Sequence, residues 1–286
     1  MSLLNAIILG MIQGVAEFLP ISSSGHLSIA QNLFGLSVEG SNDMFFDVLL
    51  HLGTLAAVFV AYWAEIREMI VEFFSAIGDF LGGRKQKTLP PARRLIGMII
   101  VGTLPLFAIL PVKDVVEKLS QNTYFIGAAL LVTGCLLTVC DRMRKGKKTE
   151  ASAGMLDALI VGVGQAIATC PGISRSGMTI SVGCFCGFER KFAVRFAFLL
   201  SIPAVLGANI LEIADVMETG IDTTLLPMYF AGVLVAAVSG YLCIRLLKMI
   251  AENGKFGAFA YYCWGMGVVT IVLTALKTAG MLPWLN

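Results

Sequence analysis

Charge is scarce in this sequence. Only 14% of its 286 residues are Asp, Glu, Lys or Arg, against roughly 25% in soluble globular domains. That leaves little room for a soluble domain. A formal net charge of +2 gives no ground for a nucleic-acid partner, and none is expected. Histidine is scarcer still, with His26 and His51 alone. The seven cysteines have no metal-ligand spacing: one residue separates Cys184 from Cys186, and no histidine is near them. They read as small packing residues in an apolar or reducing setting. Met1–Asn5 carries no basic residue. No small-residue cleavage site follows the first apolar run, so no cleavable signal peptide is expected.

What the chain has is length without charge. Hydrophobic residues make up 57% of it, and uncharged runs of 16–22 residues recur, among them 95–112, 121–140, 223–244 and 256–276. As helix, such runs cross a hydrocarbon core of about 30 Å. The expected fold class is therefore all-α: a polytopic protein embedded in a lipid bilayer.

Two stretches depart from this pattern. Residues 13–26 read QGVAEFLPISSSGH, and residues 165–179 read QAIATCPGISRSGMT. Each pairs a short apolar helix with a proline stop, a Ser/Gly break and a second short apolar piece, over 3–19 and 26–36 and again over 155–170 and 178–188. Neither piece is long enough to span alone. Two half-helices around a polar break predict a re-entrant hairpin, whose irregular backbone must be buried in protein or line a cavity.

Six spans are expected, over about 43–63, 95–111, 122–140, 192–211, 224–247 and 256–280. Asp47 and His51 lie four apart in the first and share a face; they read either as supports of a site or as structural, with the structural role favoured. Residues 65–81 alternate apolar and acidic positions at helical spacing, which predicts an amphipathic helix lying in the membrane interface. Basic residues cluster near 84–94, 142–148, 190–195 and 245–255, whereas Glu212, Asp215, Glu218 and Asp222 crowd another loop. The positive-inside rule places the basic loops in the cytoplasm and both termini outside.

The two hairpins align at an offset of 152, Gln13 on Gln165, Ser22 on Ser174, Ser24 on Ser176 and Gly25 on Gly177. Ser23 falls on Arg175. The chain thus reads as a single membrane domain, 1–286, made of two copies of hairpin plus three spans, about 1–141 and 153–286. Three is odd, so the second copy is inverted. Such repeats place a site near the midplane, where the copies meet.

The residues at that meeting point form a phosphoryl-transfer set. Ser and Gly at a helix start leave free N–H groups and a positive dipole end, which favour an anion. Arg175 adds a planar cation matched to phosphate oxygens. An unpaired Arg at membrane depth is costly, so an anion or Glu17 should partner it. Gln13 and Glu17 face the same way, four residues apart. His26 can exchange a proton near neutrality, and Ser22, Ser23 and Ser24 supply hydroxyl groups.

The motifs QGVAEFLPISSSGH and PGISRSGMT resemble the two signatures of the undecaprenyl-diphosphate phosphatase family, the bacitracin-resistance type, over nearly the whole chain. The resemblance implies hydrolysis of undecaprenyl diphosphate to undecaprenyl phosphate and inorganic phosphate. That reaction recycles the lipid carrier for bacterial cell-wall synthesis and confers bacitracin resistance. It also implies a multi-pass protein of the bacterial plasma (inner) membrane, a site facing the outer side, and dependence on Mg²⁺ or Ca²⁺. By position it makes Glu17, Ser23, His26 and Arg175 catalytic. Ser22, Ser24, Ser174, Ser176 and Thr179 would bind the substrate phosphates, and Gln13 and Glu17 the metal. Many members carry glutamate where this chain has Gln13, which weakens a two-carboxylate cation site. Ser23, His26 and water all remain open as the attacking group, with Ser23 favoured.

Ser24-Gly25-His26 also resembles the PSGH element of acid-phosphatase-type lipid phosphatases. Those need a second flanked histidine, and only His51 is available. The alternative from another class is a lipid-carrier flippase or anion transporter, since inverted repeats and broken helices are also transporter architecture. Small-residue pairs such as Gly162-x-Gly164 permit close helix packing, a homodimer among the outcomes.

Overall fold

A computed structural model describes residues 2–36, 41–83, 89–217, 223–253 and 255–282. Arg84, Lys85 and Lys87 of the first basic loop lie outside these residues, as do Glu218, Asp222 and the side chain of Asp215 in the acidic loop. Among the described residues there is no strand, only an isolated bridge between Lys148 and Phe188.

The first hairpin is α1 (Leu3–Phe18) and α2 (Ser23–Asn32). Ser2 caps α1 by accepting from the Asn5 N–H, and Pro20 ends it, having no N–H to continue the ladder. The break is tighter than the pattern predicts. Ser22 caps α2 at once, accepting from the Gly25 N–H at 3.2 Å. Its φ of 74° turns the chain through a left-handed conformation. Such φ is uncommon for a residue with a side chain.

Helix α3 (Ser41–Ala61) follows, and α4 (Trp63–Leu81) bends away from it by 84°. That angle suits a helix turning from a span into the interface. Phe74, Phe80 and Leu81 are exposed on α4, while Glu72 and Asp79 bind Arg93.

The second expected span departs from plain helix. Helix α5 (Pro91–Thr103) passes into a 3-10 stretch over Leu104–Val112, then α6 (Lys113–Ser120). Pro105 and Pro111 cannot donate to an α-ladder, which accounts for the change. The connection between the second and third expected spans is thus largely helical.

The remaining elements are α7 (Thr123–Arg142), α8 (Met155–Ile167), α9 (Arg175–Phe185), α10 (Arg190–Met217), α11 (Leu226–Asn253) and α12 (Gly257–Thr278). Among the described residues five helical stretches are long and apolar enough to cross a membrane, and six when α3 and α4 count as one. Phe230, Val60 and Tyr261 are each more than 60% exposed. In water such a surface would be a liability; in lipid it is the solvent-facing side.

Packing pairs the elements crosswise: α1 lies along α11, and α8 lies along α5. Both crossings are made by glycine against glycine. A side chain on Gly10 would strike the Gly232 carbonyl, and one on Gly162 would strike the Gly102 carbonyl. Gly10 and Gly162 are themselves 152 apart. Gly162 is therefore used inside this chain, where it brings the backbones of α8 and α5 together. α7 packs on α12 and α3 on α10, one helix from each half in both cases. This arrangement presses the two hairpins together at their tips.

Candidate active site

The tips touch directly. The Gly172 N–H donates to Ser24 Oγ at 3.5 Å, and Ser176 Oγ donates to the Leu19 carbonyl at 3.3 Å. Each tip is shaped by a serine cap. Ser174 accepts from the Gly177 N–H at 3.1 Å, as Ser22 does from Gly25. The first residues of α2 and α9 are then Ser23 and Arg175. Both helix starts therefore bring free N–H groups and positive dipole ends to one place.

Glu17, in the last turn of α1, joins the two tips. Its Oε1 accepts from Arg175 Nη2 in an ion pair. Its Oε2 accepts from Ser23 Oγ at 2.6 Å and from Gln13 Nε2 at 3.2 Å. The Glu17 side chain is 6% exposed and that of Arg175 26%. The carboxylate is thus desolvated but fully engaged, and the guanidinium still reaches open space. Burying a charge is tolerated only with such partners.

Glu17, Ser22, Ser23, Ser24, Ser174 and Arg175 line one cavity of about 550 Å³. His51, Gln165, Thr169 and Asn209 line it too. Leu106, Phe107 and Leu110 of the 3-10 stretch and Ile210 and Leu211 of α10 give it apolar wall. A cavity with a few convergent polar groups and an apolar lining is shaped for an amphipathic ligand.

The remaining predicted residues stand outside that lining. Gln13 is buried behind Glu17, and its Oε1 has no hydrogen-bond partner. Ser176 is buried and bonded to Ser174 Oγ at 3.2 Å. Thr179 is buried and donates to the Arg175 carbonyl at 2.8 Å, which steadies the first turn of α9. His26 points elsewhere. Its Nδ1 lies 2.7 Å from the Ser22 carbonyl, and its Nε2 lies 2.8 Å from Tyr262 Oη. A carbonyl only accepts, so Nδ1 carries the hydrogen, and the neutral ring takes the tyrosine proton at Nε2.

His51, for which the sequence favours a structural role and leaves a supporting one open, lies beside the site. Its Nε2 is 4.0 Å from Glu17 Oε2, and its Nδ1 donates to the Asp47 carbonyl at 2.8 Å. Asp47 itself accepts from Gln31 at 3.2 Å. The signal was its spacing from Asp47, which marks a shared helix face but not what that face meets.

A family model described as bacitracin resistance protein BacA matches residues 6–269. An undecaprenyl-diphosphatase of Methanosphaera stadtmanae is 40% identical over 282 residues, covering 96% of this chain and 99% of that one. One of Alkaliphilus metalliredigens is 42% identical over 277 residues, covering 96% of this chain and all of its own. Undecaprenyl-diphosphatase 4 of Bacillus thuringiensis is 39% identical over 274 residues, with 96% and 98% covered. Matched along nearly its full length by model and relatives alike, this chain belongs to the bacitracin resistance protein BacA family.

Proposed function

We infer that the protein is an undecaprenyl-diphosphate phosphatase. It hydrolyses undecaprenyl diphosphate to undecaprenyl phosphate and inorganic phosphate. The reaction recycles the lipid carrier for bacterial cell-wall synthesis and confers bacitracin resistance. The observation that carries this reading is the link from Ser23 through Glu17 to Arg175 across the two tips.

Each residue then has a part. Arg175 and the N–H groups of α2 and α9 hold the diphosphate and stabilise the charge that builds on its equatorial oxygens. Ser23 Oγ attacks the terminal phosphorus while its proton passes to Glu17 Oε2, 2.6 Å away. The bridging P–O bond breaks, and undecaprenyl phosphate leaves with that oxygen. Water then attacks the phosphoserine, releases inorganic phosphate and restores the serine hydroxyl. Ser22 and Ser174 hold the tips in shape. His26 acts at one remove, by fixing the Ser22 carbonyl at the turn.

Mg²⁺ or Ca²⁺ fits on limited terms. No cluster of three or more His, Cys, Asp or Glu side chains suited to a metal occurs among the described residues. Glu17 already accepts from Arg175, Ser23 and Gln13, and Gln13 is buried outside the cavity lining, so the pair would hold a hard cation only together with the substrate's own phosphate oxygens. When bound it would neutralise diphosphate charge.

We place the protein in the bacterial plasma membrane with the cavity facing outward, because the basic loops 142–148 and 190–195 favour the cytoplasm. The halves 1–141 and 153–286 are read as inverted copies within one domain. Phosphate release from a C15 or C55 prenyl diphosphate by detergent-purified protein, with and without chelator, tests the activity. Release that chelator abolishes is expected. No release from folded protein across cations and pH would overturn the reading and favour a lipid-carrier flippase or anion transporter.

A further inference from the structure

Gln165 lies on α8 and lines the cavity beside Glu17, Ser23 and Arg175. It is 1% exposed, yet neither its Nε2 nor its Oε1 has a hydrogen-bond partner. An unsatisfied buried amide is disfavoured, because both groups have lost water and gained nothing. Native proteins keep such a group where something else completes it. Its aligned counterpart Gln13 is different, since that Nε2 is bonded to Glu17. At the position aligned with Glu17 the second half has Thr169, whose Oγ1 donates to the Ala166 carbonyl at 2.7 Å. Gln165 therefore lacks the carboxylate that occupies Gln13, and its amide is left for a ligand. Asn209, on the α10 wall of the same cavity, also has an unpaired, buried Nδ2.

We propose that Gln165 is a substrate-binding residue whose amide hydrogen-bonds the phosphate-bearing end of a lipid diphosphate held by Arg175. The proposal rests on the phosphatase reading for its ligand and adds a contact from the α8 wall. A phosphate oxygen satisfies Nε2, and a hydroxyl or water at the phosphorus satisfies Oε1. With neither atom committed to protein, the amide is free to turn to suit both. A neutral donor here binds phosphate without a further buried charge, whereas a carboxylate would repel it.

The test uses the full-length purified protein and two readouts. One is kcat/KM for phosphate release from C15 prenyl diphosphate. The other is the thermal shift given by a non-hydrolysable C15 methylene-bisphosphonate. Gln165→Leu should lower kcat/KM by about 10- to 100-fold, the effect of one hydrogen bond to a charged group. It should also cut the bisphosphonate shift by more than half. Its Tm without ligand should equal or exceed that of the wild type, because the unsatisfied amide is gone. Gln165→Glu should lose more activity than Gln165→Leu through repulsion. Gln165→Met replaces the leucine variant if that one fails to fold.

Full activity in Gln165→Leu beside an active wild type would overturn the assignment and leave the phosphatase reading standing. A wild-type bisphosphonate shift that Gln165→Leu loses, with no hydrolysis by either protein, would uphold the contact and remove the reaction. A wild-type shift that the variant retains, or no wild-type shift at all, would overturn the contact.

Discussion

At the first tip Ser22 Oγ accepts from Gly25 and lies 3.4 Å from Ser24 Oγ. At the second, Ser174 Oγ accepts from Gly177 and lies 3.2 Å from Ser176 Oγ. The caps are nearly superimposable in their bonding. The residues around them are not. Where the first tip has Ser23, the second has Arg175; where the first has Glu17, the second has Thr169. One scaffold used twice thus presents an acid and a hydroxyl from one side and a fixed cation from the other. The backbones differ as well: Ser22 has φ 74° and Ser174 φ −70°. The shared capping pattern gives two similar helix ends, and the differences at two positions give them opposite charge. Opposite charges at the two tips also solve a burial problem, since neither Glu17 nor Arg175 is left alone at depth.

Several variants break or sharpen that contrast. Ser23→Ala should have the largest effect, lowering kcat by about 10³-fold or more in phosphate-release assays, since it removes the hydroxyl proposed to attack. Ser24→Ala, on the same tip, should stay within about 10-fold in the same assay. Arg175→Ala should lower kcat/KM by at least about 100-fold, as expected for truncating one member of a buried charge pair. Arg175→Lys should restore only part of that, because an ammonium cannot replace the planar fork. His26→Ala should cost less than either Ser23→Ala or Arg175→Ala, and Tyr262→Phe should cost less than His26→Ala; matched kinetics would show this order. The smallest contrast is in the caps. Ser174→Ala should lower stability by about 1 kcal/mol in detergent unfolding. Ser22→Gly should be neutral or mildly stabilising, because glycine adopts the left-handed turn without strain.

The architecture was legible because lipid enforces simple rules. Span lengths, proline stops and the 152-residue echo located the hairpins, and the cost of a lone buried Arg pointed to its pairing with Glu17. Less legible was which way a polar side chain turns. His26 closes the first motif and can exchange a proton near neutrality, which placed it in the same site as Ser23. Its ring instead folds onto the Ser22 carbonyl and meets Tyr262, a partner 236 residues away. A structural role was favoured for His51 because spacing showed its face but not the neighbour of that face. Gln165 served only to set the register of the repeat, and its lack of a partner emerges from packing alone. The 3-10 stretch at Leu104–Val112 passed as a plain span because its composition is wholly apolar; its two prolines were the available sign.

A double-mutant cycle on kcat/KM, with Glu17→Gln, Arg175→Ala and the combined variant, tests most directly whether the two tips make one site. Direct contact between Glu17 and Arg175 predicts coupling of at least about 1 kcal/mol, so the double variant should lose markedly less than the product of the single losses. Losses that simply multiply would mean that the tips act independently, and would contradict a site built from both.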